Sequence, residues 1–475
     1  MYISGYYIGT DNIINNSMKT LNSVMAAALM LTASASLSAQ NPIIRDAFTA
    51  DPSAHVFNGR VYLYPSHDIP APADYARKDW FCMADYHVYS SDNLVDWVDH
   101  GVIVDQKHVP WVNDTSYSMW APDCNYYNGK YYFVFPAGQK PQPGQRFAGN
   151  GIGYAISDTP YGPFVPEEKP IQGIGGIDPC LFIDDDGQAY LAWQGRGLQV
   201  QKLADDLMTV VGEPYNISNI LPHRGQEEGP FLFKANGKYY YTFPWVDDKR
   251  ECIAYAMADK PLGPYKFIGK IMEQDGEEYS CWTNHHSVVN FQGKWYFFYH
   301  HNDYSPKFDK NRSVCVDELH FNPDGTIQLI IPTKRGVGVT KATDVIQIDR
   351  YSELMECRNV EIAYLNADRP FDGWKVIFSN SHQDKGAFWA RYDRVDFGKE
   401  KCSNVQARIF SLAGGTLEVR VDSPEGQLLG TINVGGAEGW QDVKAVLDSY
   451  PTGMHNLYVA MTNGSRIDVD WVTFK

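Results

Sequence analysis

The chain has 475 residues, about three times the usual length of one domain, so we expect two or more domains. Hydrophobic residues make up 44% and charged residues 21%, a balance that excludes bulk disorder. A formal net charge of −16 disfavours nucleic acid as a partner, because a phosphate backbone is repelled by such a surface. A neutral substrate is compatible with this charge.

Residues 1–39 have the pattern of a secretion signal. Lys19 precedes an apolar run at 24–31, and small residues follow up to Ala39. Met18 is an alternative start, and a buried amphipathic helix is the alternative structure. The run is shorter than the roughly 20 residues that span a bilayer, so we predict export to the periplasm or the cell exterior without a membrane span.

Five similar segments organise the chain from about 43 to about 325. Each has a turn dipeptide ending in Gly, followed by an aromatic-rich run; the dipeptides begin at Asn58, Asn128, Asp186, Asn236 and Gln292. Such dipeptides favour hairpin turns. The glycines are 50 to 70 residues apart, which leaves room for about four short strands per repeat. The pattern predicts a five-bladed β-propeller, with an irregular β-sandwich as the alternative.

Four polar residues occupy one position in these repeats, just ahead of the strand that leads into each turn. They are Asp51, Asp178, Glu228 and His286. The second repeat departs, because Trp120-Ala121-Pro122-Asp123 has no ionisable group in strict register there. Since the innermost strands of a propeller line its channel, we expect the four side chains to meet at one mouth.

Three converging carboxylates favour acid–base chemistry. Like charges that lie close together raise one pKa, so one group stays protonated while another is ionised. A paired acid and base around a bond is the machinery of glycoside hydrolysis. A turn cap or a surface charge is the alternative for each carboxylate taken alone.

The motifs in these repeats resemble family 43 glycoside hydrolases over about residues 43–332. The matching segments are Ala50-Asp51-Pro52, Trp120-Ala121-Pro122-Asp123, Ile177-Asp178-Pro179, Glu228-Gly229-Pro230-Phe231, His285-His286-Ser287-Val288-Val289 and Arg312-Ser313-Val314. The resemblance implies a five-bladed propeller and hydrolysis with inversion. It also implies that Asp51 is the general base, that Glu228 is the general acid, and that Asp178 orients Glu228 and raises its pKa.

Further contacts follow from the same resemblance. It implies that Arg312 faces the substrate and that His286 is a channel histidine, which often holds a calcium ion or its water shell. Trp120 is expected to stack on a sugar ring. A surface Arg, a hydrogen-bonded core His and a core Trp are the alternatives. We expect Trp80-Phe81 and Trp245 to pack in the core, with the rim of the pocket as the alternative.

A second β domain is predicted after the propeller. The predicted boundaries are 1–39 for the secretion signal, 40–332 for the propeller, 333–346 for a connector and 347–475 for a β-sandwich. The phrases Val395-Asp396-Phe397-Gly398, Gly439-Trp440-Gln441 and Val469-Asp470-Trp471 resemble a family 6 carbohydrate-binding module. That resemblance implies a jelly roll with a structural calcium held by Glu353 and Asp470, although Tyr351 stands where a second Glu is common. Trp374 and Trp440 are candidates for sugar binding, with core packing as the alternative.

The hypothesis from the sequence is an exported, exo-acting, inverting glycosidase without a cofactor for its chemistry. By resemblance it removes β-D-xylosyl or α-L-arabinofuranosyl units from xylan, arabinoxylan or arabinan chains. The alternatives are an endo-arabinanase and a carbohydrate-binding protein without activity. Long insertions at 68–97 and 137–150 favour a walled pocket over an open groove.

Overall fold

A computed structural model describes residues 40–145, 148–247, 249–273, 283–305, 307–381 and 383–475. The predicted secretion signal lies outside these residues. Strands make up nearly all of the regular structure in the described part of the chain, where three short 3-10 turns are the helical elements. Within the same ranges, no helix is both long enough and apolar enough to cross a membrane.

Five antiparallel sheets follow one another along the first two thirds of the chain, each built from consecutive strands. The first sheet comprises β1 (Phe48–Phe57), β2 (Arg60–Asp68), β3 (Asp85–Ser91) and β4 (Val98–Asp105). The second comprises β5 (Asp123–Tyr127), β6 (Lys130–Gly138), β7 (Asn150–Ser157) and β8 (Val165–Pro166). The third comprises β9 (Ile177–Ile183), β10 (Ala189–Gly195), β11 (Gly197–Leu203) and β12 (Val210–Asn216). The last two comprise β13 (Phe231–Ala235), β14 (Lys238–Asp247), β15 (Arg250–Ala258) and β16 (Lys266–Met272), then β17 (Ser287–Phe291), β18 (Lys294–His301) and β19 (Ser313–Leu319).

The predicted turn dipeptides connect the first two strands of every sheet. Asn58, Asn128, Asn236 and Gln292 have φ between 45° and 54°, and the Gly that follows each also has a positive φ. Two successive positive φ values give the tight turn whose twist matches antiparallel strands, which explains the recurrent Asn-Gly.

The five sheets pack in a ring of neighbours. One hydrophobic cluster joins the first and second sheets, another joins the second and third, and a third spans the third, fourth and fifth. A further cluster joins the fifth sheet to the first, for example through Val314 and Leu63. The backbone N–H of Thr49 also donates to the carbonyl of Arg312 (2.9 Å). The predicted five-bladed propeller is therefore confirmed.

Two further sheets of six strands each form the C-terminal β-sandwich. The strands in chain order are β20 (Thr340–Lys341), β21 (Ile346–Gln347), β22 (Glu353–Leu354), β23 (Val360–Tyr364), β24 (Trp374–Ser379), β25 (Phe388–Asp396), β26 (Asn404–Phe410), β27 (Gly415–Val421), β28 (Leu428–Val434), β29 (Gln441–Val446), β30 (Met454–Gly464) and β31 (Arg466–Phe474). One sheet contains β20, β22, β25, β27, β28 and β30, and the other contains the remaining six. Alternate residues of both sheets, such as Val419 and Val469, share one apolar core, as the predicted jelly roll requires.

The sandwich is bonded to the propeller. Arg350 donates to the carbonyl of Asn41 (2.7 Å) and to the hydroxyl of Tyr304 (2.8 Å). Trp374 stacks on Tyr304 with ring centroids 5.1 Å apart. These contacts fix the sandwich against the last blade, while the domain boundaries given above stay predictions.

Candidate active site

A cavity lies where the innermost strands of the propeller begin. It contains three of the four polar residues that the repeat register singled out. Its lining residues are Asp51, Trp80, Phe81, Met83, Trp120, Ala121, Ile177, Asp178, Glu228, Thr283, His285 and Arg312. The structure thus brings Asp51, Asp178 and Glu228 together in one cavity, as the repeat register predicted.

Local backbone geometry places these carboxylates in the cavity. Asp51 and Asp178 each precede a proline and adopt positive φ values of 47° and 55°. The strand pairing shifts register beside each of them, between Ala50 and Ser53 in β1 and opposite β9 in the third sheet. Such bulges redirect a side chain out of the ladder, and a left-handed non-glycine residue is a costly conformation that tends to mark function.

Glu228 reaches the same cavity through a different kink. Gly229 follows it with φ +53°, and a Cβ there would lie 3.0 Å from Pro244 and 3.2 Å from His285 Nδ1. Only glycine combines this φ with so close an approach. The N–H of Gly229 donates to Asp178 Oδ2 (2.9 Å), so Asp178 fixes the backbone that carries Glu228.

Asp51 is held as a carboxylate. Burial alone would raise its pKa, but the charges of Arg312, His285 and His300 and a hydrogen bond from Ser66 lower the pKa below its ordinary value. Arg312 donates to both of its oxygens (3.0 and 3.3 Å), and Ser66 Oγ donates to Oδ2 (2.6 Å). Asp51 is therefore ionised at neutral pH.

The pKa values of Asp178 and Glu228, in contrast, are raised. Burial raises the pKa of Asp178 most, and the charges of Glu228 and Asp51 raise it further. Burial and the charge of Asp51 raise the pKa of Glu228 to about 7, against a lowering effect of Gln226 and Arg312. The pair therefore retains a proton near neutral pH, while Asp51 does not.

Arg312 is fixed from behind by Asp68, a residue that the sequence analysis missed. Asp68 accepts from the Arg312 backbone N–H (2.9 Å), Nε (3.0 Å) and a terminal nitrogen (2.9 Å). The guanidinium also lies over the ring of Phe81, 4.7 Å from its centroid. Arg312 is thus held rigidly at the cavity wall, where it was predicted to face the substrate. Within the cavity, its guanidinium bonds to Asp51.

A second missed carboxyl, Glu251, lies behind the site. It is fully buried, and its Oε2 accepts from the backbone N–H of Asn284 (2.6 Å). Burial and the charge of Glu228 raise its pKa to about 8. A protonated Glu251 adds no negative charge, which limits the repulsion that Glu228 experiences when it ionises.

His286 does not line the cavity as predicted. Its ring is buried against Phe297, with centroids 5.3 Å apart, and its Nε2 lies 2.5 Å from Thr242 Oγ1. The preceding residue, His285, faces the cavity instead, with Nδ1 3.6 Å from Asp51 Oδ1. The structure thus places His285, rather than His286, at the cavity.

The structure also tests whether His286 suits the calcium site that the family resemblance implies. Burial and the charges of His285 and His300 lower its pKa well below the ordinary value, so the imidazole is neutral. Its Nδ1 is a buried atom without a hydrogen-bond partner among the described residues. A neutral nitrogen acceptor fits the water shell of an ion better than direct contact with calcium, which prefers oxygen.

Aromatic residues form the walls of the cavity. Trp120 lines it as predicted. Trp80 and Phe81 also line it. Trp80 is 37% exposed, which corrects the expectation that it packs in the core, whereas Phe81 is buried in a core cluster, as expected. Trp245 is buried at 3% exposure in the core, as expected. The insertion after β2 therefore supplies one wall of the site.

The predicted calcium ligands of the sandwich have separate partners. Glu353 on β22 pairs with Arg391, whereas Asp470 on β31, in the other sheet, pairs with Arg408 (3.4 Å). The buried neighbour of Asp470 is Asp349, which the sequence analysis missed. Burial and the charge of Asp349 raise the pKa of Asp470 to about 7. The structure thus brings Asp349, rather than Glu353, to Asp470.

The two tryptophans considered for sugar binding in the sandwich differ in environment. Trp374 is buried at 4% exposure against Tyr304 of the propeller, with Lys334 and Arg350 over its ring, so it packs in the interface. Trp440 is partly exposed beside Phe410 (centroids 6.1 Å apart). Of the two, Trp440 alone retains access to solvent.

The fold and the cavity define a carbohydrate-active hydrolase, since a propeller mouth with an ionised carboxylate and a protonated carboxyl suits glycosidic bond cleavage. The family model for glycosyl hydrolases family 43 matches residues 39–327. The chain belongs to this family. A second model, for the family 6 carbohydrate-binding module, matches residues 382–475.

Similar proteins cover either the propeller or nearly the whole chain. Xylosidase/arabinosidase 43A of Humicola insolens is 37% identical over 334 residues, covering 60% of this chain and 98% of that protein. Arabinoxylan arabinofuranohydrolase of Bacillus subtilis (strain 168) is 29% identical over 514 aligned positions, covering 94% of each chain.

Similar solved structures likewise cover either the propeller or nearly the whole chain. CoXyl43, a GH43 β-xylosidase/α-arabinofuranosidase from a compost microbial metagenome solved with xylotriose in a calcium-free form, is 35% identical with a TM-score of 0.53. It covers 62% of this chain and 97% of its own. The arabinoxylan arabinofuranohydrolase of Bacillus subtilis solved with cellotetraose is 26% identical with a TM-score of 0.52, covering 93% and 99% respectively.

Proposed function

We propose that this glycoside hydrolase removes single β-D-xylosyl or α-L-arabinofuranosyl units from the non-reducing ends of xylan-type and arabinoxylan-type oligosaccharides, with inversion at the anomeric carbon. The proposal rests on two carboxyl groups that line one cavity and whose pKa values are shifted in opposite directions. The pKa of Asp51 is lowered, whereas the pKa of Glu228 is raised to about 7. One enzyme thus holds a base and an acid ready at the same pH.

In the proposed mechanism, Asp51 takes a proton from the attacking water. Glu228 donates its proton to the glycosidic oxygen as the bond to the anomeric carbon breaks. The oxygen of the water becomes the new anomeric hydroxyl, on the face opposite the departing group. Asp178 is assigned a positioning role, because its carboxyl group accepts a hydrogen bond from the backbone N–H of Gly229, directly after Glu228.

The walls of the cavity support terminal rather than internal cleavage. Trp80, Phe81 and Trp120 line the cavity that contains the carboxylates. Flat aromatic faces suit the apolar faces of pyranose and furanose rings. The names of the similar proteins, a xylosidase/arabinosidase and an arabinoxylan arabinofuranohydrolase, favour the two sugars proposed.

The proposal extends to the cellular location of the enzyme and to the role of its C-terminal module. We assign it to the periplasm or the cell exterior, on the sequence pattern of residues 1–39, where polysaccharide fragments are encountered. The C-terminal module would hold such chains near the propeller, with Trp440 as the partly exposed aromatic candidate. Calcium at the channel histidine and in the sandwich stays a prediction, without a role in proton transfer.

Proton NMR during hydrolysis of p-nitrophenyl β-D-xylopyranoside and p-nitrophenyl α-L-arabinofuranoside tests the proposal. Initial α-xylose from the β-xyloside is expected, because attack from the opposite face inverts the centre. Initial β-xylose would contradict inversion. Turnover of internal arabinan linkages without release from either aryl substrate would identify an endo-arabinanase instead. Sugar binding without any hydrolysis would leave a carbohydrate-binding protein.

A further inference from the structure

Two histidines and an aspartate form a compact cluster on the first blade, away from the cavity lining. One ligand atom from each of His67, Asp85 and His87 lies within 4.8 Å of the others. Among the described residues, these three make up the single group of at least three His, Cys, Asp or Glu side chains with that spacing. Each side chain is about one-fifth exposed, so an ion can reach it from solvent.

The sheet register explains why the three side chains meet. Ser66 of β2 pairs with Tyr86 of β3, so the neighbouring positions place His67 beside Asp85 and diagonal to His87. Alternation along a strand puts these three on one face. Ser66 and Asp68 point to the other face, where they bond Asp51 and Arg312.

The hydrogen bonds of the two rings place donor atoms within reach of an ion. Asp99 on β4 accepts from His87 Nδ1 (3.1 Å), which leaves the lone pair of that ring on Nε2. A carboxylate behind a metal-ligating histidine is the usual outer-shell arrangement. Asp85 Oδ1 lies 2.7 Å from His67 Nδ1, and a bound ion would take the place of the proton between these two atoms. The ring centroids of His67 and His87 are 5.0 Å apart.

We propose that His67, Asp85 and His87 bind a divalent transition-metal ion, with Zn²⁺ as the probe of choice. Two imidazoles and one carboxylate suit Zn²⁺ and its neighbours in the first transition row, and water completes the shell. Tetrahedral Zn²⁺ holds its ligand atoms about 3.4 Å apart, so the side chains close in by small rotations. The ion would tie β2 to β3 beside Asp68 without entering the cavity.

Zinc binding to the full chain, freed of any affinity tag, tests the site by calorimetry and by metal analysis after dialysis. The wild-type protein is expected to hold one more equivalent of Zn²⁺ than His87→Ala or His67→Ala. The matched control is His108→Ala, which removes an exposed histidine 4.0 Å from Asp105 and should keep that equivalent. Asp99→Asn keeps all three ligands and should weaken binding roughly 10- to 100-fold.

Two results would overturn the proposal. Equal zinc stoichiometry in the wild type and His87→Ala would place any bound zinc elsewhere, for example at the histidines around the cavity. The lack of a bound equivalent in a wild-type protein with native circular dichroism would exclude the site outright. If His87→Ala unfolds, two other measurements decide the question. One is zinc binding to Asp99→Asn. The other is anomalous scattering from a zinc-soaked wild-type crystal, with the peak expected between His67 and His87.

Discussion

The propeller and the sandwich both bury carboxylates but neutralise them differently. In the sandwich, Asp468 is fully buried, yet it has two cations of its own, Arg466 (2.8 Å) and Lys375 (2.8 Å). In the propeller, several carboxyl groups gather around one guanidinium. Arg312 bonds Asp51 and Asp68, and its charge also lowers the pKa of Asp178 and Glu228. One cation cannot offset that much negative charge, so a proton is retained.

The comparison also shows that a shifted pKa alone does not mark a catalytic group. Glu228 and Asp470 both have their pKa raised to about 7, chiefly by burial. Glu228 lines a cavity, whereas Asp470 lies on β31 against Arg408. A perturbed group becomes a candidate for catalysis only where a substrate can reach it. The following predictions test that distinction.

The largest effect is expected from Asp51→Asn. The amide cannot accept the proton of the attacking water, so kcat should fall about 10⁴-fold on every substrate. The matched control in the sandwich is Asp470→Asn, which is isosteric and also buried, and should leave kcat unchanged. Steady-state assays with p-nitrophenyl β-D-xylopyranoside measure both. Retained turnover in Asp51→Asn would remove Asp51 as the base.

Glu228→Gln should discriminate between substrates by their leaving groups. A sugar alkoxide needs a proton as it departs, so hydrolysis of a xylo-oligosaccharide is expected to slow about 10³-fold. A p-nitrophenolate leaves without help, so the aryl xyloside should lose far less. Equal losses on the two substrates would argue against Glu228 as the acid.

The pH dependence should follow the same residue. Glu228 must be protonated to act, so activity on oligosaccharides should fall as the pH rises through about 7, the value to which its pKa is raised. Asp51 must be ionised, and its lowered pKa puts the acidic limb below the ordinary value of 3.8. Glu228→Gln should abolish the basic limb of the kcat/KM profile, and Asp470→Asn should preserve it. A basic limb that survives in Glu228→Gln would belong to another group.

Much of this site follows from local sequence rules. The Asn-Gly turns depend on a few adjacent residues, and so does the apolar alternation after Asp51, Asp178 and Glu228. These local patterns were sufficient to predict both the repeat and the converging carboxylates. His286 was placed wrongly because β17 begins at Ser287, so alternation does not decide which of two preceding histidines faces the cavity.

Other parts of the site depend on contacts that sequence patterns do not encode. Trp80 and Phe81 lie between β2 and β3 in a long irregular insertion, where neither period 2 nor period 3.6 applies. Asp68 bonds an arginine 244 positions away, a pairing that only the closed ring of blades produces. Asp349 similarly lies near Asp470 because β21 pairs with β31, far along the chain.

The smallest effect is expected from Asp68→Asn, which tests how the propeller positions Arg312 at the cavity. Losing a charged partner of Arg312 should lower kcat/KM roughly tenfold. The guanidinium would then be less neutralised, so the pKa of Glu228 should fall and the basic limb of the pH profile should move to lower pH. Asp468→Asn breaks a comparable buried pairing in the sandwich and should change neither quantity. A lower melting temperature with an unmoved pH profile would reduce Asp68 to a purely structural role.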